Sequence, residues 1–226
     1  MSGPENRELP AKDDADVAFA IAETVASLVP GVSQLLRLIM DAPVEQRRDE
    51  WLRQLGQDVA SLMARKGVDI ETLQQTPTFI DAVSTATQIA LRTSQTEKRR
   101  ALRNAVLNSA ISDLDVSIQQ IFLSWIDRAT DRHLILLQLV QNPAKWLLAR
   151  DRTVRPRAKA TEVLEDAFPD ATSNYAFYEL LWSDLFAAGF VKMQRLDNGL
   201  EGDATKIQRT TPFGDQFLEF ITSPVD

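Results

Sequence analysis

The chain has 226 residues, a formal net charge of −7 and no cysteine, which excludes disulfides, thiolate zinc sites and thiol catalysis. With 44% hydrophobic and 25% charged residues, it has the composition of a globular protein of one or two domains. Eight glycines and ten prolines are few for this length, and helix-forming residues dominate, so we expect a mainly α fold.

The N-terminal stretch MSGPENRELPAKDDAD is polar and acidic, which does not fit a secretory signal. We therefore expect a disordered tail over residues 1–12 and a cytoplasmic location for the protein.

The first apolar segment is VAFAIAETVASLVPGVSQLLRLIM, residues 17–40. A membrane span needs about 20 apolar residues, but Glu23 and Arg37 lie inside this segment. The Pro30-Gly31 pair also divides it into two pieces of ordinary helix length. Two helices that pack in a core are the favoured interpretation. Membrane insertion after a trigger is the alternative and would make the protein a membrane effector.

Further amphipathic segments extend the helical pattern. Residues 43–66 place apolar side chains at helical spacing opposite a charged face. This stripe consists of Trp51, Leu52, Leu55, Val59, Leu62 and Met63. A Thr-Pro pair at 76–77 begins another helix, and Ser94 with Glu97 fits a capping box that begins the next one. Residues 13–130 are therefore predicted to form a helical bundle of five or six helices.

Residues 131–226 have a different pattern and are predicted to form a second domain. A capped, very apolar helix follows Thr130, and a basic connector covers residues 150–160. Two more helices follow, the second of which ends at Gly189. The stretches FVKMQR and TKIQRT alternate like strands on either side of an Asn-Gly turn, which predicts a two-stranded hairpin. A Thr-Pro pair then begins the final helix.

This order of elements in residues 131–226 resembles the winged-helix domains of the MarR and PadR families. In those families a Leu-x-x-x-Gly turn ends the third helix, and a Thr-x-x-Gly motif follows the wing. The first motif matches at Leu185, Gly189, Phe190 and Val191, and the second at Thr210 or Thr211 with Gly214. The resemblance implies a winged-helix-like module that contacts either DNA or another protein.

The whole chain also loosely resembles the Abi-alpha type of bacterial proteins, which are linked to abortive infection. Those proteins place a helical region before a small winged-helix-like tail that ends in a Thr-x-x-Gly-x-x-Phe pattern. Here that pattern reads TPFGDQF. The resemblance implies a bacterial protein with a part in phage defence.

Charge decides which contact the module is expected to make. The third helix, SNYAFYELLWSDLFAAG, contains no lysine or arginine, and the wing tip LDNGLEGDA is acidic, which disfavours contact with phosphates. One basic run, by contrast, favours contact with phosphates. It consists of Arg150, Arg152, Arg155, Arg157 and Lys159. A DNA-binding transcriptional regulator that uses this run is therefore the alternative hypothesis.

The third helix is rich in aromatic side chains, which are frequent anchors of protein interfaces. Tyr175, Phe177 and Tyr178 point in too many directions for one buried stripe, so we predict that they bind a partner. The leading hypothesis is a protein–protein interaction protein. A homodimer is compatible with the amphipathic helices.

No residue pattern indicates an enzyme. His133 is the single histidine, and its place at the start of an apolar helix favours a buried structural role. Metal sites built on histidine need more than one, and no glycine-rich phosphate loop is present. We expect no catalytic residue, no cofactor and no metal.

Overall fold

The computed structural model of the protein describes residues 32–196 and 203–225, with side chains from residue 44 onward. These residues form ten α-helices and one short 3₁₀ helix. The α-helices are α1 (Val32–Lys66), α2 (Ile70–Gln75), α3 (Pro77–Arg92), α4 (Thr96–Ser109), α5 (Val116–Arg128), α6 (Asp131–Gln141), α7 (Pro143–Leu148), α8 (Ala160–Ala167), α9 (Tyr175–Ala187) and α10 (Pro212–Phe220). The 3₁₀ helix is Ala204–Lys206. The mainly α class is confirmed.

Internal contacts divide the described residues into one unit that ends at Glu50 and a second unit that begins at Trp51. The second unit has a continuous hydrophobic core that draws on every α-helix from α3 to α10 and on the part of α1 from Trp51 onward. This core includes residues on both sides of position 130. The domain boundary predicted at that position stays a prediction.

Helix α1 ends as predicted, just before Gly67, whose φ of +69° suits glycine. It does not begin near Pro43, as the sequence suggested, but runs through that residue. Of its predicted stripe, Trp51 and Leu62 are fully buried, whereas Leu52 is 47% exposed.

The N-termini of α4 and α6 cap each other across the fold. The backbone N–H of Lys98 donates to Asp131 Oδ1 (2.8 Å), and the N–H of Asp131 donates to Gln95 Oε1 (2.7 Å). The Lys98 ammonium group donates to the carbonyl oxygens of Asp127 (2.5 Å) and Ala129 (3.1 Å). These carbonyls lie at the end of α5, where the helix itself provides no hydrogen-bond donor for them. Burial lowers the pKa of this ammonium group. Three helix ends are therefore joined at one buried point.

The C-terminus of α10 is capped by two asparagines of α4. Asn104 Nδ2 donates to Ile221 O (2.8 Å), and Asn108 Nδ2 donates to the carbonyl oxygens of Phe220 and Thr222 (2.8 Å each). These bonds satisfy carbonyls that a helix end leaves without partners. The last helix is thereby fixed to the bundle.

The predicted two-stranded hairpin is wrong for the described residues, which contain no β-strand. Val191 and Thr210 form a single antiparallel bridge, supported by a bond from the Lys192 N–H to Arg209 O (2.9 Å). The N–H of Arg209 donates to Val140 O (2.9 Å) of α6 and not to a partner strand. One bridge is too little to make a ladder.

The 3₁₀ helix occupies the first two residues of the predicted second strand, TKIQRT. Asp203 Oδ1 accepts bonds from the Thr205 N–H (3.2 Å) and from Thr205 Oγ1 (2.6 Å). Local side-chain bonds of this kind compete with sheet pairing and turn the backbone. Residues 197–202 of the predicted wing tip, LDNGLEGDA, lie outside the described residues.

Candidate functional site

Helix α9 ends in a Schellman motif that fixes its direction. The N–H of Phe190 donates to Leu185 O (3.0 Å), and the N–H of Gly189 donates to Phe186 O (2.9 Å). Gly189 has φ = +75°, a conformation that glycine adopts without strain. The motif that carries the winged-helix resemblance is therefore a helix stop with a defined geometry.

The second motif packs directly on the first. The N–H of Thr211 donates to Phe190 O (2.9 Å), and Thr211 Oγ1 donates to Gly189 O (2.6 Å). The same hydroxyl accepts a bond from the Gly214 N–H (2.9 Å) and so caps α10. The start of α10 therefore holds the end of α9.

The inner face of α9 is part of the core. It consists of Tyr178, Leu181, Trp182 and Leu185, all buried. The Tyr178 hydroxyl donates to Asp170 Oδ1 (3.1 Å), and burial raises the pKa of Tyr178 to about 12. Trp182 Nε1 donates to Met193 O (2.8 Å).

One of the three predicted partner-binding aromatics differs from expectation. Tyr178 is 0% exposed, so it packs in the core and cannot touch a partner. Tyr175 is half-buried, and its hydroxyl donates to Glu179 Oε1 (2.8 Å). Phe177 remains on the surface with 42% of its area exposed.

The outer face of α9, by contrast, is apolar and exposed. It consists of Ala176, Phe177, Leu180, Ser183, Asp184 and Ala187. Leu180 is 59% exposed, more than Phe177. A helix that is apolar on both sides is usually buried on both sides. Leu180 is not among the predicted contact residues, although the i, i+3, i+4, i+7 spacing of the inner face already leaves residues 177 and 180 outside the buried stripe.

A surface pocket of about 240 Å³ adjoins this face and includes His133 and Asp184 in its lining. His133 Nδ1 accepts the Thr130 N–H (3.1 Å) in a capping box, and Nε2 lies 3.3 Å from Asp184 Oδ2. A backbone N–H can only donate, so in the neutral imidazole the proton lies on Nε2 and points to Asp184. The basic nitrogen is therefore occupied by helix capping, and the geometry gives His133 a structural role.

The pKa of His133 is lowered, chiefly by burial and also by the charge of Lys98, although the hydrogen bond and the charge of Asp184 act to raise it. The unfolded chain then binds more protons than the folded protein, so stability falls as pH falls below about 6.5 towards the folded pKa.

We expect His133→Gln to reduce this acid-induced loss, since glutamine keeps the capping box but does not titrate. Urea unfolding of both proteins at pH 7.5 and 5.0 measures the effect. The same pH dependence in both proteins would contradict the assignment.

The predicted phosphate-binding run forms a basic segment, defined as residues 150–159. All five of its cationic residues are exposed. The Arg150 guanidinium carbon lies 4.0 Å from the centroid of the Trp146 ring, and Arg155 pairs with Asp166 (2.6 Å). Leu148, just before the segment, is 65% exposed. The structure thus places an apolar side chain beside a cationic surface.

The segment proposed for membrane insertion lies largely outside the described residues, which begin at residue 32. In the described part of the chain, none of the helices combines the length and apolar character that a bilayer crossing requires. The same residues contain no group of three or more acidic or histidine side chains placed to hold a metal ion. No protein-family model, curated protein or solved structure matches the chain.

Proposed function

We propose that the protein is a non-enzymatic protein–protein interaction protein whose contact surface is the outer face of α9. The observation that carries the proposal is the exposure of Phe177 (42%) and Leu180 (59%), side by side on a helix whose other face is already buried. The resemblance to Abi-alpha type proteins extends the proposal to a part in bacterial phage defence.

The energetics of such a contact favour binding. Full burial of a leucine or phenylalanine side chain contributes roughly 1.5–3 kcal/mol, and both side chains have about half of their surface left to bury. The helix is already fixed by its Schellman motif and by Thr211, so little ordering entropy opposes association. Laying an apolar helix face into a partner groove is a common recognition mode.

The charge of α9 favours a protein over a nucleic acid. The helix carries Glu179 and Asp184 but no cation, and Asp184 lies on the outer face with 55% of its side chain exposed. A carboxylate at this place repels phosphate groups. Ser183, Asp184 and the apolar residues together form a surface that suits a polar-rimmed protein interface.

The test uses a photocrosslinking residue at position 180 in the cells that produce the protein. We expect a discrete crosslinked product at this position, which disappears when Phe177→Ser is added. Position 121 is the matched control, because Ile121 is 53% exposed on α5. Because Phe177 is partly buried, Phe177→Ser is expected to cost about 1–2 kcal/mol of stability, and urea unfolding checks that the variant remains folded. Equal crosslinking at positions 180 and 121 would remove the basis of the proposal.

The DNA-binding alternative is favoured by one observation, the five exposed cations of the basic segment. Arg155 already pairs with Asp166, so an informative variant changes Arg152, Arg157 and Lys159 to glutamate. Duplex binding that weakens about tenfold or more between about 50 and 200 mM salt, and is lost in this variant, would favour the regulator instead.

A further inference from the structure

We infer that the partner of the α9 outer face is a second copy of this chain, which contributes the basic segment together with Leu148. The inference rests on the proposed function, because it names the occupant of the same surface.

The two surfaces share one feature. Leu148 (65%) and Leu180 (59%) are the most exposed of the large apolar side chains in the described residues. A single exposed leucine is common on protein surfaces. Each of these two leucines, however, lies beside charged side chains that are mainly of one sign. Each surface therefore has an apolar centre that association would bury.

The charges of the two surfaces are opposite. Residues 148–159 hold five cations, of which Arg155 pairs with Asp166, and one carboxylate, whereas the outer face of α9 holds one carboxylate, Asp184, and no cation. Complementary charge around an apolar centre fixes register and partner choice in protein interfaces. A chain that exposes both halves of such a contact provides its own partner.

Both surfaces are also held in place before any contact is made. The N–H of Arg152 donates to Leu147 O (2.9 Å), and the N–H of Ala204 donates to Ala158 O (2.9 Å). Asp151 and Arg157 have positive φ values of 52° and 57°, which shape the basic segment into a defined path. Association then orders little further backbone.

The contact is testable by complementation between defective variants of the full-length chain. Leu180→Ser damages only the α9 surface, whereas Leu148→Ser and the double change Arg152→Glu/Arg157→Glu damage only the basic surface. Each variant alone is expected to raise the dissociation constant for self-association at least about tenfold, because it removes a central apolar or charged group. Ile121→Ser is the matched control and is expected to associate like the wild type.

Mixing distinguishes this contact from any other dimer. Leu180→Ser mixed with either basic-surface variant restores association, since each copy supplies the surface that the other lacks. A mixture of the two basic-surface variants stays dissociated. Sedimentation velocity at up to about 100 µM protein measures the association of each variant and of each mixture. This concentration is high enough to detect dissociation constants in the range of weak specific contacts.

A wild-type protein that stays monomeric in this range overturns the inference, and so does restoration in the mixture of the two basic-surface variants. If the protein is monomeric but position 180 crosslinks to another protein, the proposed function stands and only the self-association fails. If position 180 crosslinks no more than position 121, both fail.

Discussion

Phe217→Ala is expected to lower the free energy of unfolding by about 3–5 kcal/mol, the range for truncation of a buried phenylalanine. Phe217 is 0% exposed on α10. Its ring stacks on Phe190 with centroids 4.6 Å apart and meets Trp125 and Phe122 edge-on, at 5.2 Å each. The truncation removes the ring that joins α5, α10 and the turn after α9, and it leaves a cavity between three aromatic faces.

Urea unfolding followed by tryptophan fluorescence measures this effect. Phe186→Ala is the control on a partly exposed ring, because Phe186 is 39% exposed on α9, and its truncation is expected to cost only about 1–2 kcal/mol, in proportion to its buried part. Phe217→Leu is expected to fall between the two, since it keeps most of the apolar volume. A loss below about 1 kcal/mol in Phe217→Ala would contradict the packing of this cluster.

Local signals in the sequence predict several of the helix ends. Gly67 and Gly189 stop helices because both positions need a left-handed backbone, and the pairs at 76–77 and 211–212 begin helices because proline suits the first turn. These features depend on residues within a few positions of each other. The interactions that set these helix ends can therefore be inferred from the local sequence.

Features that depend on distant residues were not predictable in the same way. The N-terminus of α4 is capped by Asp131, which is 33 residues away from Lys98, so the local Ser94-Glu97 box is not used. The hairpin fails for a related reason, because alternation shows that a segment is suited to a strand but not that a partner is aligned beside it. Here the backbone N–H of Arg209 donates to α6, and the 3₁₀ helix occupies the first two residues of the predicted strand.

The candidate site was predicted in part. The aromatic content of the sequence points to α9, which is the third helix of the predicted winged-helix module. The structure shows that this helix has an exposed, largely apolar outer face. Residue type alone favoured Tyr178 over Leu180, yet Tyr178 is fully buried and Leu180 is 59% exposed. Helix periodicity is the better guide on a helix that is apolar all round, because burial is decided by the face and not by the residue type.

Gly214→Ala is expected to cost about 2–4 kcal/mol of stability, from overpacking and from hydrogen bonds lost as the backbone moves. A Cβ atom at this position would lie 2.2 Å from Phe190 O and 3.0 Å from its carbonyl carbon. Both are backbone atoms, so no side-chain rotation relieves the clash. Either α10 or the turn after α9 must move, which strains the two bonds from Thr211 to Phe190 O and Gly189 O.

Gly56→Ala provides a control of opposite sign. Gly56 is an exposed residue inside α1, and nothing lies within 4 Å of an added Cβ, so alanine is expected to stabilise the helix by up to about 1 kcal/mol. Gly189→Ala falls between them, because its φ of +75° strains alanine by about 1–2 kcal/mol although the space is open. If Gly214→Ala were as mild as Gly189→Ala, the close approach of α10 to the end of α9 would be wrong. The helix that presents Phe177 and Leu180 would then lack the support on which its rigid outer face depends.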